Sequence, residues 1–213
     1  MRRANPIIEF VGLPGAGKST IAGAFRHFLP GALGPQLPPA PFRGSRALLF
    51  SAAALMFSLR PFQLNDLHRT IRLVQAHRVY EKGLPAQLLL EQGLIQRLWA
   101  MIADRSFYSD EKLERLVKVM GQCAPDVIVR VNTPHDIAAS RIQARPHGNS
   151  RYERMSRADI VPRLAPADAI YDRLVALYRR HSTADIIEVS GTDPVEDNAR
   201  RIAAFMKAAA ARS

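Results

Sequence analysis

Ten residues, VGLPGAGKST at 11–20, have the types and spacing of a phosphate cradle. Gly12, Gly17, Lys18 and Ser19 fit G-x-x-x-x-G-K-[ST] without a mismatch. Gly12 lets the chain turn at the end of a β-rich run. Gly15 and Gly17, with Ala16 between them, allow successive backbone N–H groups to point inward at phosphate oxygens. A helix starting near Ser19 and Thr20 would turn its positive end toward the same anion. Lys18 would reach the β- and γ-phosphates, and the Ser19 hydroxyl would complete a Mg²⁺ shell. The expected ligands are therefore Mg²⁺ and a nucleoside triphosphate, with ATP expected by analogy alone.

Such a loop works only between a strand and a helix. PIIEFV (6–11) is a short β-rich run, and STIAGAFRHFL (19–29) has helical spacing, with Ile21, Ala24, Phe25 and Phe28 on one side. Residues 30–44 are too dense in proline and glycine for a regular element. Helical stretches are predicted at 45–59 and 64–82. AQLLLEQG (86–93) reads as a buried strand and a turn. Two more helical runs precede a strand at 125–132. A helix at 134–145, a long helical run at 156–181 with prolines at 162 and 166, a strand at 184–191 and a closing helix at 193–211 complete the chain. Strands alternating with helices predict a parallel sheet covered on both faces.

The loop gives a ligand and leaves the reaction open. None of the eleven aspartates is followed by glycine three places on, and NTPH (132–135) is not N-K-x-D, so the two GTPase signatures are absent. Motor and transporter ATPases need longer chains. The small-kinase class remains.

GLPGAGKST and the later pattern resemble the nucleoside and nucleoside monophosphate kinase superfamily, most nearly its thymidylate kinase-like branch. The resemblance implies a three-layer α/β P-loop fold with a central parallel sheet of about five strands, helices on both faces and a small arginine-rich lid, all in one domain spanning 1–213. It implies four sets of site residues. The first is the P-loop (Walker A), with Gly12, Gly15, Ala16, Gly17, Lys18, Ser19 and Thr20. The second is Glu91, which closes LLLEQG and matches the family's acid beside the phosphates, as a base or as a Mg²⁺ ligand with Ser19. The family often places arginine after this acid, where Gln92 stands here. The third is the stretch 141–157, resembling the lid. Six arginines against two acids fall between 141 and 163. Arg145 and Arg151, then Arg141, are the candidates to stabilise the transferring phosphoryl group. The fourth is SGTDP, resembling the adenine loop, with Thr192 and Asp193 beside the base.

The acceptor would lie between the proline-rich segment and the helices before the acidic strand. Phe42, Arg43, Arg46, Arg69, Arg72 and Arg78 are candidates, with His68 on the same stripe and Phe62 and Trp99 as aromatic options. The expected partners are a nucleotide and a small-molecule acceptor, a nucleoside or nucleoside monophosphate first. A non-nucleotide hydroxyl compound and an accessory nucleotide-binding ATPase are the rivals.

Composition narrows the setting. Hydrophobic residues are 47% and net charge is +11, which suits a folded chain with an anionic partner. No aromatic–basic interleaving forms a nucleic-acid track, so a strand partner is not expected. The single cysteine, Cys123, rules out an internal disulfide. The apolar run at 47–59 is too short to span a bilayer. A cleaved leader would destroy the P-loop, so a cytoplasmic protein is expected, and a homodimer is compatible with the sequence.

Overall fold

The computed structural model describes residues 5–29, 32, 45–82, 87–103, 105–145 and 151–211, with the side chain of Arg151 outside the description. Four strands, β1 (Ile7–Val11), β2 (Leu88–Leu90), β3 (Val127–Asn132) and β4 (Asp185–Ser190), form one parallel sheet in the order β2-β1-β3-β4. Ile8 pairs with Leu89 on one side and with Val127 on the other, and Val127 with Asp185 beyond it. All five residues of β1 are buried, which explains why IIEFV shows no polar alternation.

The helices are α1 (Lys18–Phe25), α2 (Arg46–Met56), α3 (Leu64–Lys82), α4 (Leu94–Ile102), α5 (Asp110–Met120), α6 (His135–Gln143), α7 (Arg157–His181) and α8 (Val195–Ala211). α1 packs on α8, while α3 packs on α4, α4 on α7 and α7 on α5. Phe10 and Phe25 are fully buried against each other, with ring centroids 6.2 Å apart. Burial of each contributes roughly 1.5–3 kcal/mol.

Among the described residues four strands stand where about five were expected. The sequence itself marks four β-rich runs. The fifth came from the resemblance, which would place it before β2. There Leu48, Ala52 and Leu55 recur at helical spacing and are buried on α2, so helix wins over residues 46–56. The proline-rich stretch 30–44, apart from Ala32, lies outside the described residues. α7 runs unbroken through Pro162 and Pro166, although each proline removes one N–H donor.

The corner between α2 and α3 is tied to the chain before α5. Arg60 N–H donates to Phe107 O, Ser106 N–H donates to Arg60 O, both at 3.0 Å, and the Arg60–Pro61 bond is cis. Below it, Arg105 and Asp66 form a buried ion pair. The second Asp66 oxygen accepts from Gln63 N–H at 2.9 Å. This corner fixes the start of α3, the helix that carries Arg69 and Arg72.

Candidate active site

The parallel strands all end at one edge, and the loops that follow them meet there. The phosphate loop leaves β1 and enters α1 through Gly17 in a left-handed conformation, φ 93°. Gly15 also has positive φ, 80°, and a Cβ on it would lie 2.3 Å from Ala138 O. Both positions require glycine. The first turn of α1 carries no acid, so its exposed N–H groups are left to an anion.

Lys18 donates to Gly12 O at 2.7 Å and to Leu13 O at 2.9 Å, folding back over the loop it follows. Its pKa is lowered to about 7. Burial is the main cause, Arg145 and Arg130 add like charge, and Glu91 opposes them. Lys18 thus lies near two arginines and one acid, Glu91.

Glu91 sits just past β2, and the Ser19 hydroxyl donates to its carboxylate. Ser19 and Glu91 thus converge on one point at the start of α1. A hydroxyl and a carboxylate side by side are hard oxygen donors, the set that suits Mg²⁺.

A cavity of about 300 Å³ opens beside the loop, lined by Gly15, Gly17, Thr20, Ile21, Arg141, Arg145, Gly191 and Val195. Arg141 comes from α6 and donates to Gly191 O at 2.9 Å, which closes the cavity on one side. Arg145 follows α6 and is exposed. Thr192 and Asp193 directly follow Gly191. Thr192 lines a neighbouring groove of about 730 Å³ between β3, β4 and α7, and Asp193 N–H donates to Ser190 O at 3.3 Å. Residues 146–150 of the expected lid lie outside the described residues, as does the Arg151 side chain.

A second cavity, about 260 Å³, is lined by Arg69, Arg72, Gln92, Gln96, Arg97 and Ala100. Two of the expected acceptor arginines meet here with Gln92, the neighbour of Glu91. Arg69 is fixed by donating to Ala100 O at 2.9 Å, and Arg72 rests on His68 at 3.2 Å. Arg97 is new to the set. Its pKa is lowered by burial and by Arg72 beside it. Arg78 pairs with Glu81, and Arg46 is exposed at the start of α2. Phe62 stacks on Phe57 at the surface, and Trp99 is buried against Tyr171. Phe42 and Arg43 lie outside the described residues.

Three further residues escaped the sequence reading. Glu9, in the middle of β1, is fully buried. Its carboxylate accepts from Leu94 N–H at 3.0 Å, Ile95 N–H at 2.8 Å, Gln96 N–H at 3.0 Å and the Tyr80 hydroxyl at 2.9 Å. Burial pushes Glu9 up to about 7, and the donors from Gln96, Tyr80, Ile95 and Leu94 pull the other way. Arg130, in β3, is 2% exposed, pairs with Asp168 and Asp172, and lies 5.0 Å from the Tyr171 ring centroid. Thr133 donates to Ala16 O at 3.0 Å and braces the phosphate loop against the end of β3. A lone acid inside an apolar strand was the one sequence signal available for Glu9, because such a group must find donors.

No protein-family model matches the chain, and no curated protein matches it significantly. Solved structures do match. Deoxyadenosine kinase from M. mycoides with bound dATP is 14% identical with a TM-score of 0.55, over 94% of this chain and 99% of that one. The same enzyme with bound dCTP gives 13% and 0.56, over 95% and 99%. Shikimate kinase from Acinetobacter baumannii in complex with shikimate gives 18% and 0.50, over 96% and 94%. The fold is that of P-loop kinases, a four-stranded parallel sheet between helices. No helix among the described residues is long and apolar enough to cross a membrane.

Proposed function

We propose that this chain is a P-loop small-molecule kinase of one domain, which moves the γ-phosphoryl group of ATP to an oxygen on a small acceptor in the cytoplasm. One observation carries the reading. The Ser19 hydroxyl meets the Glu91 carboxylate, and a residue next in sequence to each lines an arginine-bearing cavity, one formed by the phosphate loop with Arg141 and Arg145, the other by Arg69, Arg72 and Arg97. Thr20, next to Ser19, lines the first, and Gln92, next to Glu91, lines the second. A donor site and an acceptor site would thus share one edge.

Each residue then has a task. Backbone N–H groups of Gly15, Gly17, Lys18 and Ser19 cradle the β- and γ-phosphates. Lys18 leaves its carbonyl partners for the phosphates and regains its charge. Arg141 and Arg145, with Arg151, neutralise charge spreading over the transferring group. Thr192 and Asp193, beside Gly191, border the base. Ser19 and Glu91 would hold Mg²⁺, which supplies charge neutralisation at the β- and γ-oxygens when bound. The Ser19 contact favours this role for Glu91 over that of a base. As the acceptor oxygen bonds the γ-phosphorus, the bond to the β–γ bridging oxygen breaks, and an acceptor hydroxyl passes its proton to solvent.

Three arginines around a compact cavity favour an acceptor that carries an anionic group. A nucleoside monophosphate, with thymidylate kinase-like chemistry, fits this first. The small volume of about 260 Å³ supports a second reading, a non-nucleotide hydroxyl compound bearing a carboxylate or phosphate. Glu91→Gln tests the site. Transfer should fall by about two orders of magnitude, with metal-free ATP affinity unchanged. Unaltered transfer would remove Glu91 from the chemistry.

A further inference from the structure

We propose that Glu9 is the positioning residue of this site, tying the turn that carries Glu91 to the strand that launches the phosphate loop. The inference rests on the reading of Ser19 and Glu91 as the metal side of the nucleotide site.

Glu9 stands three residues before Gly12, so its place is set by the same strand that sets the loop. Its four donors leave it no freedom. Three are the first N–H groups of α4, at Leu94, Ile95 and Gln96. α4 has Gly93 at its N-cap and no side-chain cap of its own, so Glu9 replaces the missing cap from across the sheet. The fourth donor, Tyr80, belongs to α3, and its pKa is raised well above 10, so its hydroxyl stays a donor.

The turn of residues 91–93 is pressed onto this carboxylate. A Cβ at Gly93 would lie 2.4 Å from the Glu9 carboxyl carbon and 2.3 Å from the Tyr80 hydroxyl. Glu91, two residues earlier, has little room to move while that contact holds. The connection also runs back to the loop. The Gln96 side chain accepts from the Tyr171 hydroxyl, and the Gly12 N–H faces that same hydroxyl. One buried carboxylate therefore registers Glu91 and Gly12 against each other, and Ser19 Oγ meets the Glu91 carboxylate as a result.

A plain helix cap would affect stability alone. A positioning residue must change how the metal joins the nucleotide. ATP affinity is measured by calorimetry with and without Mg²⁺, on the full chain, in wild type, Glu91→Gln, Glu9→Gln and Gly93→Ala. The gain in affinity conferred by Mg²⁺ should fall by about tenfold or more in all three variants, the scale of outer-sphere effects on metal sites, while metal-free ATP affinity stays within about twofold. Amides 94–96 should also exchange faster with solvent in Glu9→Gln. Should Glu9→Gln not fold, Tyr80→Phe removes one donor, keeps the carboxylate and must show the same split. A full Mg²⁺ gain in Glu9 and Gly93 variants with lowered Tm would reduce Glu9 to a helix cap and overturn the proposal. A wild type with no Mg²⁺ gain, or a Glu91→Gln variant that keeps it, would instead overturn the metal-side reading, and the role of Glu9 with it.

Discussion

Lys18 is the residue on which the site turns. It is folded back on two carbonyls of its own loop, and it supports no core contact. Lys18→Ala should therefore lower phosphoryl transfer by about two to three orders of magnitude and leave the melting temperature within a few degrees, read by steady-state kinetics and thermal unfolding. Its lowered pKa gives a second test. At about pH 8 the empty site holds Lys18 mostly neutral, and polyphosphate favours the ammonium, so ATP binding should take up close to one proton there and almost none at about pH 6. Calorimetry in buffers of different ionisation enthalpy reads this directly. ATP affinity should fall as pH rises above about 7, and Lys18→Ala should lose the uptake. The sign follows for stability too. The unfolded chain binds more protons between about 7 and 10.5, so this group makes the empty fold more stable as pH rises through that window. At this scale the sequence was legible where chemistry is local. Gly12 to Thr20 are contiguous, and their pattern is their geometry. Glu9 was not legible, because its partners lie 85 to 87 residues away in α4. Arg130 likewise reads as an oddity of β3 until α7 brings Asp168 against it.

Among the elements, the corner of α2, α3 and the segment before α5 holds the start of the helix that carries Arg69 and Arg72 to their cavity. The Arg105–Asp66 pair is buried on both sides, with side-chain exposures of 1% and 0%. Arg105 also donates to Pro61 O at 2.7 Å and to Met101 O at 3.2 Å. Arg105→Ala leaves Asp66 charged and short of a partner, and should cost about 3–5 kcal/mol in chemical denaturation. A cost below about 1 kcal/mol would show that Gln63 N–H and Arg69, 4.0 Å away, satisfy Asp66 without Arg105. Because Arg69 extends from the same turn of α3, the variant should also weaken acceptor binding more than ATP binding. Helix identities were legible from spacing, as in α5, where Leu113, Leu116, Val117 and Met120 mark one buried face. β1 to β4 were legible as apolar runs between breakers. What propensity missed was context. Two prolines count against a helix interior, yet α7 is continuous across Pro162 and Pro166 with Ile160, Leu164, Ala167, Ile170, Tyr171 and Leu174 buried along it, because tertiary packing outweighs two lost backbone bonds.

For the whole molecule, the net charge of +11 takes on a location. Arg141 and Arg145 line one cavity beside the phosphate loop, with Lys18 near Arg145 and Glu91, and Arg69, Arg72 and Arg97 line another. Two clusters of cations suit two anions, and under the proposed kinase reading both binding steps should weaken as salt rises. Sequence composition alone spread that charge over the chain, and the fold concentrates part of it. The most direct measurement is phosphorus NMR of ATP, Mg²⁺ and the protein with a panel of nucleosides, nucleoside monophosphates and small hydroxyl compounds with and without an anionic group. A phosphorylated product from an anion-bearing acceptor, formed together with ADP and absent in Lys18→Ala, is the result expected. ATP hydrolysed at one rate whatever acceptor is present, with no phosphorylated product, would contradict the kinase reading and favour an accessory ATPase.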